Sequence, residues 1–214
     1  MQHEESPGGE GHVALSSGQS PRRRRHTVAL SFAGFGLGVL ACMLAWLPGG
    51  AVAEIWENAA RLTARVSALF FIAAFGASAL AQLWRAGATA WLLRERRGLG
   101  LGFCAAHGVH LVAVVGAGIT GEAPSMVALV GGTLAYLWVV VMALTSTDAA
   151  VARLGAVRWR RLHLGGMHFL WAIFTVGYLG RVLRQDVPLE HAVLFTLMVW
   201  VILLRLYQRF HHMR

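Results

Sequence analysis

The sequence contains no lysine, and charged residues make up only 14% of its 214 positions, against roughly 25% in soluble domains. All 19 basic residues are arginine, which reads as a base-composition bias of the source genome and not as chemistry. The missing charge is missing in blocks. Six stretches, 27–47, 66–84, 99–119, 125–144, 162–179 and 189–206, approach or exceed the roughly 18 apolar residues that mark a membrane span. Together they occupy most of the chain and exclude a separate soluble catalytic domain of about 100 residues. Cysteine is scarce. Cys42 and Cys104 both fall inside apolar blocks and read as packed thiols. No C-x-x-C-H motif is present, which excludes covalently attached c-type haem. We find no internal repeat.

The charge that is present lies between the blocks. Arg22 to Arg25, Arg85, Arg94, Arg96, Arg97, Arg153, Arg158, Arg160, Arg161, Arg205, Arg209 and Arg214 fall on one side of a six-span path. The other side carries Arg61, Arg65, Arg181 and Arg184. By the positive-inside rule the rich side is cytoplasmic. The expectation is an all-α integral membrane protein, a six-helix transmembrane bundle with both ends inside, in a bacterial inner membrane. Its net charge of +9 is then a topological signal, and nucleic acid is not an expected partner; membrane lipid is. Residues 1–26 read as a polar, disordered cytoplasmic tail, 27–208 as the six-span domain, and 209–214 as a second short tail. A rival reading takes the arginine run, the first apolar block and Ala51-Val52-Ala53 as a signal peptide, but that apolar run is longer than a signal core.

Smaller signals fill in the loops. The stretch 48–65 reads as the longest outer loop, with Trp56 and alternating charges that would suit an interfacial helix. Thr145-Ser146-Thr147-Asp148 reads as a helix stop and restart with Asp148 as the cap. Trp84, Trp91, Trp138, Trp159 and Trp171 read mainly as belt residues at the membrane interface. Gly34, Gly36, Gly38, Gly165 and Gly166 permit close helix contact.

Ionisable residues at membrane depth are costly and mark function. Of 10 histidines, His3, His12, His26, His211 and His212 lie toward the ends, and His191 lies at the outer end of the sixth block. His107 and His110 in the third block, and His163 and His168 in the fifth, lie inside. Those two blocks run in the same direction, so depths compare directly. At about 1.5 Å per residue, His107 and His168 are the closest in depth. His107 and His110, three apart, share a helix face, whereas His163 and His168, five apart, do not. Neutral imidazoles on two parallel helices suit a bis-histidine b-type haem. Arginines at the cytoplasmic ends of the same helices, Arg97 and Arg160 among them, suit its propionates. The residues alone leave two alternatives: structural histidines that bond helix to helix, and a proton or metal-ion pathway in a small transporter or ion-handling subunit.

At these positions the chain resembles the ferric reductase-like transmembrane domain family, which includes the haem-binding membrane subunit of the bacterial periplasmic methionine sulfoxide reductase system. The resemblance rests on Arg94-Glu95-Arg96-Arg97-Gly98-Leu99-Gly100-Leu101 leading to His110-Leu111, on Leu144-Thr145-Ser146-Thr147-Asp148, on Arg158-Trp159-Arg160-Arg161-Leu162-His163, and on His168-Phe169-Leu170-Trp171. It covers roughly residues 60–208 and implies haem-ligating histidines in spans three and five. His110 and His163 match best, with His107 and His168 as further axial candidates. The family often places a second histidine about 13 residues on in span five, where this chain has Val176, so the resemblance implies one haem b. Family members with full reductase activity carry a flavin and nicotinamide domain after the spans. Here electrons are expected from quinol or a separate flavoprotein, and are expected to pass to ferric iron or a periplasmic reductase outside.

Overall fold

The computed structural model describes residues 21–183 and 189–211. Of the expected tails at 1–26 and 209–214, residues 1–20 and 212–214, with His3, His12, His212 and Arg214, lie outside the described residues, as does Arg184, while 21–26 and 209–211 are helical. The described residues form seven helices: α1 (Pro21–Leu44), α2 (Val52–Leu83), α3 (Gly87–Thr120), α4 (Met126–Leu144), α5 (Asp148–Leu154), α6 (Ala156–Val182) and α7 (Leu189–His211). Six of them, all but the short α5, are long and apolar enough to cross a membrane. This is an all-helical, multi-pass membrane protein.

The helices run longer than the apolar blocks. α2 has 32 residues and α3 has 34, so each reaches about 50 Å at 1.5 Å per residue, well beyond the ~30 Å hydrocarbon core. The stretch 48–65 is therefore mostly helix and not loop. Gly49 and Gly50, at φ +70° and +116°, turn the chain after Pro48, and α2 begins two residues later. Past that turn nothing breaks the helix, and its charges are spaced to support it. Arg61 donates to Glu57, one turn back, at 2.7 Å, the pairing that favours an exposed helix. The stop and restart near residue 147 is present, but the cap is Thr147, not Asp148. Thr147 has extended backbone and its hydroxyl accepts from the Ala150 amide at 3.1 Å. This frees the Asp148 carboxylate for Arg97, 2.6 Å away. Gly155, at φ +76°, separates α5 from α6.

α2 and α3 form an antiparallel spine, with α1 packed along α3, α7 along α2, α6 on α7 and α4 on α6. Glycines set the closest approach. A Cβ on Gly34 of α1 would collide with the Gly102 carbonyl of α3, and one on Gly166 of α6 would meet the Met142 side chain of α4. Gly36 and Gly165 face open space. Three of the five tryptophans also fasten one element to another. Trp159 donates to the Thr145 carbonyl at 2.8 Å, Trp171 donates to the Met198 carbonyl at 2.9 Å, and Trp138 packs beside Gly166. Indole N–H groups need partners when buried, and helix ends and neighbouring helices supply them. The backbones of α3 and α6 stay apart, and only side chains such as Phe103 and Phe174 meet between them.

Candidate cofactor site

The interior histidines lie at two levels between α3 and α6. At the level nearer the arginine-rich helix ends, α6 contributes His163. A cavity of about 550 Å³, within the ~300–1,000 Å³ range of small-molecule sites, opens here between the two helices. Gly100, Phe103 and Cys104 line it from α3, with His163, Leu164 and Met167 from α6. At the outer level, α3 contributes His107 and His110, their rings 5.1 Å apart. Thr63 and Ser67 of α2 hold His110 and His107, whereas His163 is held by Thr145, just past the end of α4. The structure does not bring His110 and His163 together.

His168 lies between these levels, against Phe75 of α2 at 5.3 Å. His107 touches Phe103 at 5.2 Å and Phe174 at 5.6 Å. Phe71, fully buried, stands between the two histidines, 5.5 Å from Phe75 and 5.4 Å from Phe103. His107 and His168 are thus the cross-helix pair joined by one continuous aromatic cluster.

A carbonyl partner fixes the tautomer of His168, and the hydroxyl partners assign those of the other three rings when each hydroxyl gives its proton to its own helix. The Thr63 hydroxyl donates to the Ala59 carbonyl at 2.7 Å, so its contact with His110 Nδ1 at 3.0 Å has the ring donating. Ser67 likewise donates to the Ala64 carbonyl at 3.0 Å and accepts from His107 Nδ1 at 3.2 Å. His168 Nδ1 donates to the Leu164 carbonyl at 2.7 Å. These three rings keep Nε2 as the lone-pair nitrogen, the arrangement in which a ligating histidine is held by a bond to its other nitrogen. His163 is reversed. Thr145 donates to the Val141 carbonyl at 2.7 Å and accepts from His163 Nε2 at 3.0 Å, which leaves Nδ1. Trp159 stacks on this ring at 4.3 Å.

The cavity is cationic. Arg23, Arg94, Arg96, Arg97, Arg160 and Arg205 line it, and among the described residues no acidic side chain does. Arg96 donates to the Ala74 carbonyl and Arg205 to the Phe75 carbonyl, so α2 holds both guanidinium groups at the wall. The buried Nε atoms of Arg97 and Arg205 have no hydrogen-bond partner among the described residues. Leaving such donors buried and unmet costs about 1–3 kcal/mol each, so the cavity favours an anionic occupant. Arg97 and Arg160 both line the cavity, as their positions in the sequence suggested. Arg205 and Arg96 strengthen the site, yet in sequence they are indistinguishable from ordinary topology signals. Thr63, Ser67 and Tyr136 carried no sequence signal, and Thr145 stood out only as part of the stop-and-restart stretch.

Haem fits this interior in part. The cavity volume, the convergent arginines and His163 on one wall all suit it. Among the described residues, no histidine of α3 lines the cavity with His163. Among the described residues no three His, Cys, Asp or Glu side chains gather to hold a bare metal ion. A porphyrin iron needs at most two protein donors.

Among curated proteins, 33% identity over 104 residues links the chain to the protein-methionine-sulfoxide reductase heme-binding subunit MsrQ of Azospira oryzae. This chain is similar to a haem-binding membrane subunit. The match to MsrQ covers 42% of the chain and 45% of the relative, so the chain spans less than half the length of the protein it matches. No family model matches the chain, and no solved structure does.

Proposed function

We propose that this chain binds haem b between α3 and α6 and passes electrons across the membrane. The observation that carries the reading is the arginine-lined cavity reached by both α3 and α6, the two helices that also carry the interior histidines. The likeness to MsrQ, whose name records haem binding, supports it. When bound, haem supplies a one-electron redox centre. The chain's own residues would do the rest. Arg96, Arg97, Arg160 and Arg205 offer charge-assisted hydrogen bonds to carboxylates. Phe71, Phe75 and Phe103 keep water out of the interior. His107, His110 and His168 present Nε2, and His163 presents Nδ1, as candidate axial donors.

The expected donor is quinol or a separate flavoprotein at the arginine-rich cytoplasmic face. The expected acceptor lies on the outer side, and the likeness to a reductase subunit favours a partner reductase over ferric iron. The test is an optical and EPR spectrum of the purified full chain, expressed with ample haem, and of each single His→Ala variant at 107, 110, 163 and 168. A Soret band and a positive pyridine assay, with loss of low-spin signal in the variants that remove axial ligands, support the reading. Protein that folds yet carries no haem sinks it.

A further inference from the structure

Two hydroxyl side chains on α2 face the two histidines of α3. Thr63 and Ser67 are four residues apart and share one face of α2, while His107 and His110 are three apart and share one face of α3. Because the helices are antiparallel, Thr63 meets His110 at 3.0 Å and Ser67 meets His107 at 3.2 Å. Both hydroxyl residues are fully buried, at 0% exposure. Each hydroxyl has a single proton, and each gives it to a carbonyl of its own helix. Neither can then donate to imidazole, so both are acceptors toward the rings. The His107 ring is also held from other directions, by Tyr136 of α4 stacked at 4.7 Å and by Phe174 of α6 at 5.6 Å.

We propose that Thr63 and Ser67 are positioning residues that lock His110 and His107 as Nδ1–H tautomers and so turn both Nε2 lone pairs to the bundle interior. A hydroxyl alone would be ordinary helix back-bonding. Two in register with two interior histidines, each with its proton already committed, form a paired acceptor ladder. Accepting from Nδ1–H also makes Nε2 more basic, the usual effect of a histidine's outer partner on a bound metal. The consequence for a bound iron rests on the haem reading above; the tautomer lock does not.

The experiment therefore has two arms. In the first, the full chain is labelled with 15N-histidine and reconstituted in lipid without haem. The His107 and His110 resonances are assigned by their loss in His107→Gln and His110→Gln. Both are expected as neutral Nδ1–H tautomers. Thr63→Val should shift His110 toward the other tautomer and Ser67→Ala should do the same to His107, with Thr63→Ser restoring His110. Nε2–H rings in the parent, or tautomers unmoved by both variants, overturn the proposal. In the second arm, haem-loaded Thr63→Val or Ser67→Ala is expected to keep its haem while its midpoint potential moves upward, because a less basic ligand stabilises ferric iron less. Thr63→Ser should return the potential to the parent value. Unchanged potentials in both variants overturn the effect on iron. A parent that shows the expected tautomers yet takes up no haem overturns the haem reading and leaves the tautomer lock supported.

Discussion

Arg205 of α7 lies over the ring of Phe75 on α2, with its guanidinium carbon 4.3 Å from the ring centre, and donates to the same residue's carbonyl at 2.8 Å. One side chain thus pins two helices through a cation–π contact and a charge-assisted hydrogen bond. It does so on the wall of the arginine-lined cavity.

This double contact makes Arg205 a structural fastener as well as a source of charge. Arg205→Leu should lower stability by about 1.5–3 kcal/mol, the worth of a hydrogen bond to a charged group. Arg205→Lys should recover only part of it, because an ammonium lacks the planar fork that stacks and donates together. Thermal unfolding of purified protein in detergent measures both. Equal stability of the Arg205→Leu variant and the parent protein would remove the fastener role.

Arg97, which also pairs with Asp148 at 2.6 Å, and Arg160 both line the cavity. If carboxylates of a bound porphyrin are their partners, Arg97→Gln and Arg160→Gln should each weaken haem retention by roughly 10- to 100-fold, from the ~1.5–3 kcal/mol of a charge-assisted bond. Titration of haem into the apo chain gives the affinities. Arg161→Gln, which lies outside the cavity lining, serves as the control and should change little.

The close approach of α1 and α3 depends on the absence of a side chain at one position. Gly34→Ala places a methyl against the Gly102 backbone, and backbone cannot swing aside. The expected loss is about 1–3 kcal/mol, typical of overpacking. Gly36→Ala meets nothing within 4 Å and should be neutral or slightly stabilising. Paired melting curves of the two variants separate a packing requirement from a general dislike of alanine in α1.

Orientation can be read by labelling. In a background with Cys42 and Cys104 replaced by alanine, Ala123→Cys lies between α3 and α4, and Ala149→Cys lies in α5; both positions are exposed. The positive-inside rule puts the first outside and the second in the cytoplasm. A membrane-impermeant maleimide added to intact cells should label the first and spare the second until the cells are broken. The reverse pattern would invert the bundle.

What the sequence determined by itself was the number of spans, their order and the helices that matter. Long apolar blocks cannot be satisfied in water, and arginines cannot easily be left in lipid, so the sequence marks six helices able to cross a membrane. The same reasoning picks out His107, His110, His163 and His168 as out of place, and points to Arg97 and Arg160 at the ends of their helices. Helix lengths were less legible, because α2 continues past its apolar stretch on i,i+4 ion pairs such as Glu57–Arg61. Only the tertiary structure joined His107 to His168 through Phe103, Phe71 and Phe75, ring contacts that a depth ruler cannot show. Only it placed Arg205, from the far end of the chain, beside Phe75. And only it revealed Thr63 and Ser67, whose meaning depends on the register of α2 against α3. That register is fixed by packing at glycines and phenylalanines distant in sequence, so nothing near residues 63 or 67 announces it.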